Sequence, residues 1–125
     1  MTVIGANTVV LIVEDDSLVR MDTADMMDGL GFSVLEAKDA CEAIRLLESR
    51  LDITVMFTDV EMPGSMNGLK LARVVHGRWP PIKIIVTSGK VKPAEDDLPD
   101  GGRFLSKPYT RMQFDSTLRG MTRLH

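Results

Sequence analysis

Thiols are nearly absent from this chain: Cys41 is the one cysteine among 125 residues. A single thiol forms no internal disulfide framework, and no second thiol or histidine stands at ligand spacing from it. Cys41 therefore reads as a packing residue of an amphipathic helix. An excess of one charge is lacking too. With 15 Lys and Arg against 18 Asp and Glu, the net charge is -3, which gives no basic footprint for direct nucleic-acid binding. No run of about eighteen apolar residues occurs, and no basic stretch leads into an apolar segment followed by small residues. Neither a membrane span nor a secretory signal is expected. The expected compartment is the cytoplasm, without a membrane partner.

What the chain does have is the composition of a globular protein, 44% hydrophobic and 26% charged. A chain of this length fits one domain and buries roughly two-thirds of the surface that its unfolded state exposes. The expected domain is 1–125, with residues 1–8 as a loose lead-in. Val9 to Val13 is a continuous β-branched and leucine run, as in a strand covered on both faces. From Ser17 the period changes: Val19, Thr23, Met26, Met27 and Leu30 recur at helical spacing, with Asp16 or Ser17 placed to cap and Gly31 to stop. Phe32 to Ala37 reads as a second, less buried strand. Asp39 followed by Glu42 has capping spacing for a second helix on Ala43, Ile44 and Leu47, ending near Ser49.

The pattern then repeats. Ile53 to Thr58 is a third strand, Asn67 can cap a helix to about His76, and Pro80-Pro81 breaks it before a fourth strand at Ile82 to Val86. Arg103 to Ser106 is a short fifth strand. Thr110 and Gln113 repeat the capping-box spacing ahead of a last helix carrying Met112, Phe114, Leu118 and Met121. Trp79 is expected to cover the end of the third helix. Between Thr87 and Arg103, Pro93 and Pro99 confine any helix to about one and a half turns, anchored by Val91, Ala94 and Leu98 alone. A fourth helix there is expected to be short or absent.

Alternating strands and helices imply right-handed crossovers and a doubly wound parallel sheet. The greasiest strands, one, three and four, belong in the centre, which selects the flavodoxin-like order 2-1-3-4-5. In that order the carboxyl ends of the strands share one edge. There the chain carries Glu14, Asp15 and Asp16 after strand one, Asp59 after strand three, Thr87 after strand four and Lys107 after strand five. Clustered carboxylates repel, so they take up protons or hold a cation. Oxygen-only ligands point to Mg2+, which keeps waters and room for a phosphate oxygen. A carboxylate beside such an ion can accept a phosphoryl group as an acyl phosphate, with Lys107 and the Thr87 hydroxyl spreading its charge.

The segments 10–16 (VLIVEDD), 57–63 (FTDVEMP), 85–88 (IVTS) and 104–108 (FLSKP) resemble the receiver domain of two-component response regulators, across nearly the whole chain. The resemblance implies that Asp59 is the phospho-acceptor. It implies Asp15 as a direct Mg2+ ligand, Glu14 in the inner or outer shell, and the Glu61 backbone carbonyl completing the protein ligands. Thr87 would hydrogen-bond the phosphoryl oxygen, Lys107 would pair with it, and Phe104 would be the aromatic that turns inward when Thr87 moves. The implied donor is a histidine kinase or a histidine phosphotransfer protein, and the implied output is a downstream protein partner. No organic cofactor and no turnover enzyme beyond self-phosphorylation and self-dephosphorylation is implied. His76 and His125 read as solvated and not as phosphoryl donors.

The chain departs from the family in three places. Gly68 stands nine positions after Asp59, one more than the common pattern, and Gly64 is placed to absorb the extra residue. The weak fourth helix alters the usual output surface. Phe104 replaces the commoner tyrosine, so a switch would rest on packing. No output domain is evident, which leaves a stand-alone receiver or the excised receiver of a hybrid histidine kinase. An aspartyl-phosphate phosphohydrolase of the haloacid-dehalogenase type would use Glu61 as general acid, but lacks a substrate-binding cap here. A flavodoxin-like binding module would want a Ser/Thr/Gly-rich loop after strand one where this chain is acidic.

Overall fold

The computed structural model describes residues 8–64 and 66–122. The elements are β1 (Val9–Val13), α1 (Ser17–Gly29), β2 (Ser33–Ala37), α2 (Ala40–Ser49), β3 (Val55–Asp59), α3 (Gly68–Arg78), β4 (Lys83–Ser88), a 3-10 turn (Glu95–Asp97), β5 (Arg103–Ser106) and α4 (Arg111–Thr122). The sheet runs β2-β1-β3-β4-β5 with every neighbouring pair parallel. This is the doubly wound order that the alternation of elements predicts.

The period of two along each strand divides the core between two faces. Leu11 and Val13 of β1, Met56 of β3 and Ile84 and Val86 of β4 pack with Ala43 and Leu47 of α2 and Leu71, Ala72 and Val75 of α3. Val10, Ile12, Val55, Phe57 and Ile85 point the other way, against Met27 of α1 and Phe114, Leu118 and Met121 of α4. On that side Phe114 stands edge-on to Phe57, ring centroids 5.2 Å apart, and to Phe32 at 6.2 Å. Strands covered on both faces cannot alternate polar and apolar residues, which is why β1 reads as an unbroken hydrophobic run and β3 as one up to Phe57.

The caps form where the sequence places them. Asp16 Oδ1 accepts from the Leu18 and Val19 amides at 3.0 and 3.2 Å, Asp39 Oδ1 from Glu42 at 2.9 Å, and Asn67 Oδ1 from Lys70 at 3.0 Å. Thr110 and Gln113 close a reciprocal capping box: the Gln113 amide donates to Thr110 Oγ1 at 3.1 Å and the Thr110 amide to Gln113 Oε1 at 2.7 Å. Gly31 (φ +95°) ends the α1 turn and Gly64 (φ +102°) lies in the lengthened loop after β3, both in a conformation that L side chains disfavour. The Trp79 amide donates to the Val75 carbonyl at the end of α3, with Arg78 stacked on its ring at 4.3 Å.

Several local expectations change. Cys41 is exposed, because Ala40, Ala43 and Leu47 define the inward face of α2 and Cys41 lies about 100° around the helix from Ala40. Met112 is exposed for the same reason, standing off the stripe of Phe114, Leu118 and Met121. Val19 is also exposed, and Thr23 and Met27 carry the buried face of α1. In the fourth crossover the short helix is a single 3-10 turn. Val91 and Ala94 are exposed, so of the three expected anchors only Leu98 packs on the core. β4 begins and ends later than predicted and takes in Thr87 and Ser88. His76 is half-buried. Thr8 is buried and its carbonyl receives the Ser33 amide, so the loose lead-in excludes it, and residues 1–7 lie outside the described set. His125 lies there too.

Candidate functional site

At the carboxyl edge of the sheet the parallel register brings together side chains from four strands. Asp59, the last residue of β3, is matched to Thr87 of β4, and Thr87 to Leu105 of β5. The chain leaves β1 at Glu14 and enters α1 through the Asp16 cap, which holds Glu14 and Asp15 beside Asp59. Glu14, Asp15 and Asp59 each offer a carboxylate oxygen, all within 4.8 Å of one another. Lys107, the residue after β5, closes the group: its Nζ is 3.4 Å from Asp59 Oδ1 and 3.3 Å from Glu14 Oε1.

Glu14 and Asp59 are each 6% exposed. Glu14 is well supplied with partners, since Oε2 accepts the Asp16 amide at 3.0 Å and Oε1 the Lys107 ammonium. Its backbone carbonyl receives Arg20 Nη1 at 2.8 Å. Asp59 differs. Its Oδ1 is buried and makes no hydrogen bond of good geometry, the Lys107 contact at 3.4 Å being an ion pair only. Buried polar oxygens are rarely left so. An orphaned carboxylate oxygen inside a set of three acids is what an oxygen-ligated divalent cation satisfies.

The electrostatics agree. Burial, ahead of any neighbouring charge, pushes the Asp59 carboxyl above its ordinary value; Lys107 opposes this and Glu61 adds to it. Glu14 is also raised, by burial first, with the Asp16 amide opposing and the Asp59 charge adding. Burial works against the Lys107 charge, yet Asp59 and Glu14 together outweigh it and hold the ammonium above its usual range. The site thus holds more negative charge than one lysine offsets.

Thr87 lies beside Asp59 on the wall of a cavity of about 10 Å³ that Glu14, Lys107 and Tyr109 also line. Its hydroxyl donates to the Leu105 carbonyl at 2.6 Å. Phe104 is half-buried against the core on the α2 and α3 face. The Glu61 side chain turns to β4, where both its oxygens lie 2.8 Å from Ser88 Oγ.

Two participants escaped the sequence reading. Tyr109 sits edge-on to Phe57 at 5.5 Å, with its hydroxyl 3.5 Å from Thr23; its place just after Lys107-Pro108 was the available signal. Ser88 partners a residue 27 positions away, and nothing in the local pattern announces that.

The response regulator receiver domain profile matches residues 10–119. The chain is 32% identical over 124 residues to the sensor kinase CckA of Brucella abortus, a match covering 96% of this chain and 13% of that protein. It is 34% identical over 106 residues to the chemotaxis protein CheY1 of Helicobacter pylori, covering 80% of this chain and 85% of the relative. Among solved structures, the receiver domain from the hybrid histidine kinase CckA superposes with a TM-score of 0.76 at 28% identity, covering 90% of this chain and 97% of that one. The sheet order, the acidic edge and these likenesses coincide, and the chain belongs to the response regulator receiver domain family.

Proposed function

We propose that this domain accepts a phosphoryl group on Asp59 from a phosphohistidine of a histidine kinase or histidine phosphotransfer protein. The observation that carries the reading is the orphaned, buried Asp59 Oδ1, set among Glu14, Asp15 and Lys107. Mg2+ fits the all-oxygen donor set; Asp15, Asp59 and the Glu61 carbonyl would hold it, with Glu14 beside them. The ion supplies positive charge that offsets the phosphoryl oxygens. An Asp59 carboxylate oxygen bonds to phosphorus as the phosphorus–nitrogen bond of the donor breaks, and the imidazole leaves with its electron pair. Lys107 remains paired with the new anion.

Thr87 can reach a phosphoryl oxygen only by giving up its bond to the Leu105 carbonyl, so acceptance and the position of β5 are linked. Phe104, next to Leu105, is the residue through which that shift would be read as packing. The reaction is a single transfer per protein, undone by the domain's own hydrolysis, and not turnover of a free substrate. A phosphohydrolase reading is disfavoured because the Glu61 carboxylate is engaged by Ser88. Residues 1–125 act as one receiver unit in the cytoplasm, delivering their output to a protein partner.

In the test, acetyl phosphate with Mg2+ should label one aspartyl residue, mapped by mass spectrometry to Asp59. Labelling that is indifferent to the metal, or that maps elsewhere, overturns the proposal. Asp15→Ala should weaken Mg2+ binding about a hundredfold in calorimetry, at least the largest loss that supporting residues of metal sites produce. Unchanged affinity removes Asp15 from the ligand set.

A further inference from the structure

We propose that Ser88 is a positioning residue for the metal site, acting through the Glu61 carboxylate. This rests on the Mg2+ reading given above and extends it to a residue that touches neither the ion nor the phosphoryl group.

The Ser88 hydroxyl has one proton and two lone pairs. The Lys90 and Val91 amides both lie against Oγ, at 3.1 and 3.0 Å, and an amide can only donate. Both lone pairs are thereby used. The hydroxyl proton is left for Glu61, whose two oxygens share it at 2.8 Å. One buried hydroxyl, 1% exposed, therefore joins the loop after β3 to the loop after β4 with no hydrogen-bonding capacity to spare.

The loop after β3 needs such a fastening. Val60 is held by the Thr87 carbonyl at 2.9 Å, and Gly68 donates to the Val60 carbonyl at 2.9 Å. Between Val60 and the Asn67 cap, among the described residues, the side-chain bonds back to the sheet are Glu61 to Ser88 and a contact of Thr58 Oγ1 with Met62 Sδ at 4.0 Å. Glu61 also borders, with Asp15 and Met62, an open groove of about 490 Å³ beside the acidic cluster. With its carboxylate fixed on Ser88, Glu61 cannot swing into the cluster, although its charge is still felt at Asp59, and the main chain that would supply its carbonyl is held in place. Such supporting bonds orient ligands and tune affinity without contacting the metal.

The experiment is a calorimetric titration with Mg2+ alone on the whole chain. Ser88→Ala is expected to raise the dissociation constant about tenfold, in the range found when supporting residues of metal sites are removed. Ser88→Thr keeps the hydroxyl and restores affinity. Glu61→Ala should match Ser88→Ala, whereas Glu61→Gln, whose amide oxygen still accepts the Ser88 proton, should stay near the wild type. Amide exchange at Lys90 and Val91 should quicken in Ser88→Ala and remain slow in Glu61→Ala, which separates the Glu61 arm from general loosening of the β4 loop.

Equal affinity in Ser88→Ala and wild type overturns the proposal while leaving the metal reading intact. Tighter binding in Ser88→Ala overturns it too, since the freed carboxylate would then be a ligand. A Glu61→Gln as weak as Glu61→Ala assigns the effect to charge and likewise ends it. A wild-type protein that binds no Mg2+ removes both readings together.

Discussion

Asp59→Asn should lose all metal-dependent labelling by acetyl phosphate and at the same time melt at a higher temperature than the wild type. Asparagine preserves the shape of the side chain but offers no carboxylate oxygen to phosphorus. The stability gain follows from the electrostatics of Asp59 when no metal is added. Asp59 is buried with an unsatisfied oxygen and its carboxyl is held above its ordinary value, so ionising it costs more in the folded than in the unfolded chain. Between the ordinary and the raised value the folded state binds more protons, and its stability falls as pH rises through that window. Removing the charge should therefore gain on the order of 1 kcal/mol near neutral pH, the scale at which relieving a functional site stabilises a protein. The advantage should shrink as pH falls through that window, and vanish below the ordinary carboxylate value, where wild-type Asp59 is protonated in both states. Calorimetric melting across that range, without added metal, checks the sign. A lower midpoint for Asp59→Asn at neutral pH would show that its pairing with Lys107 outweighs burial.

Gly68→Ala should be the most damaging glycine-to-alanine substitution among the described residues. A Cβ at Gly68 would lie 1.9 Å from the Asp59 carbonyl oxygen, 2.7 Å from the carbonyl carbon and 3.0 Å from Val60 Cα. All three are backbone atoms at the end of the central strand, so no rotamer change relieves the overlap. Either α3 withdraws from the sheet or the end of β3 is displaced, at about 3 kcal/mol, the upper range for overpacking a core. Because the displaced residue is Asp59 itself, labelling of the molecules that remain folded should fall too. Gly77→Ala serves as the comparison. It lies in the same helix, meets nothing within 4 Å, and should stabilise by about 0.5 kcal/mol through helix propensity alone. Similar denaturant midpoints for the two variants would mean that α3 does not need its close approach to β3.

The strand order and the acidic edge were legible because their signals are local. Continuous β-branched runs mark strands covered on both faces, Asp39 with Glu42 and Thr110 with Gln113 mark helix starts, and the chain's alternation leaves few ways to connect them. Once the order is known, Glu14 and Lys107 must share an edge although 93 positions separate them. The misreadings share a cause. Composition and approximate spacing place Cys41, Met112 and Val19 inward, but a rotation of 100° per residue carries a side chain from core to solvent in one or two positions. Val91 and Ala94 failed as anchors because the proline-bounded crossover makes only a 3-10 turn, too short to present one face to the core.

Taken alone, the amino-acid order determined which residues form strands and helices, how the strands are arranged, and that acids, a hydroxyl and a lysine meet at one end of the sheet. These follow from periodicity and capping, which are properties of neighbours within a few positions. Only the tertiary structure decided that Asp59 Oδ1 lacks a hydrogen-bond partner, that Thr87 spends its proton on the Leu105 carbonyl, that Glu61 is tied to Ser88, and that Gly68 has no room for a methyl group. Each depends on the distance and angle between groups that separate segments of the chain bring together, which no residue pattern encodes.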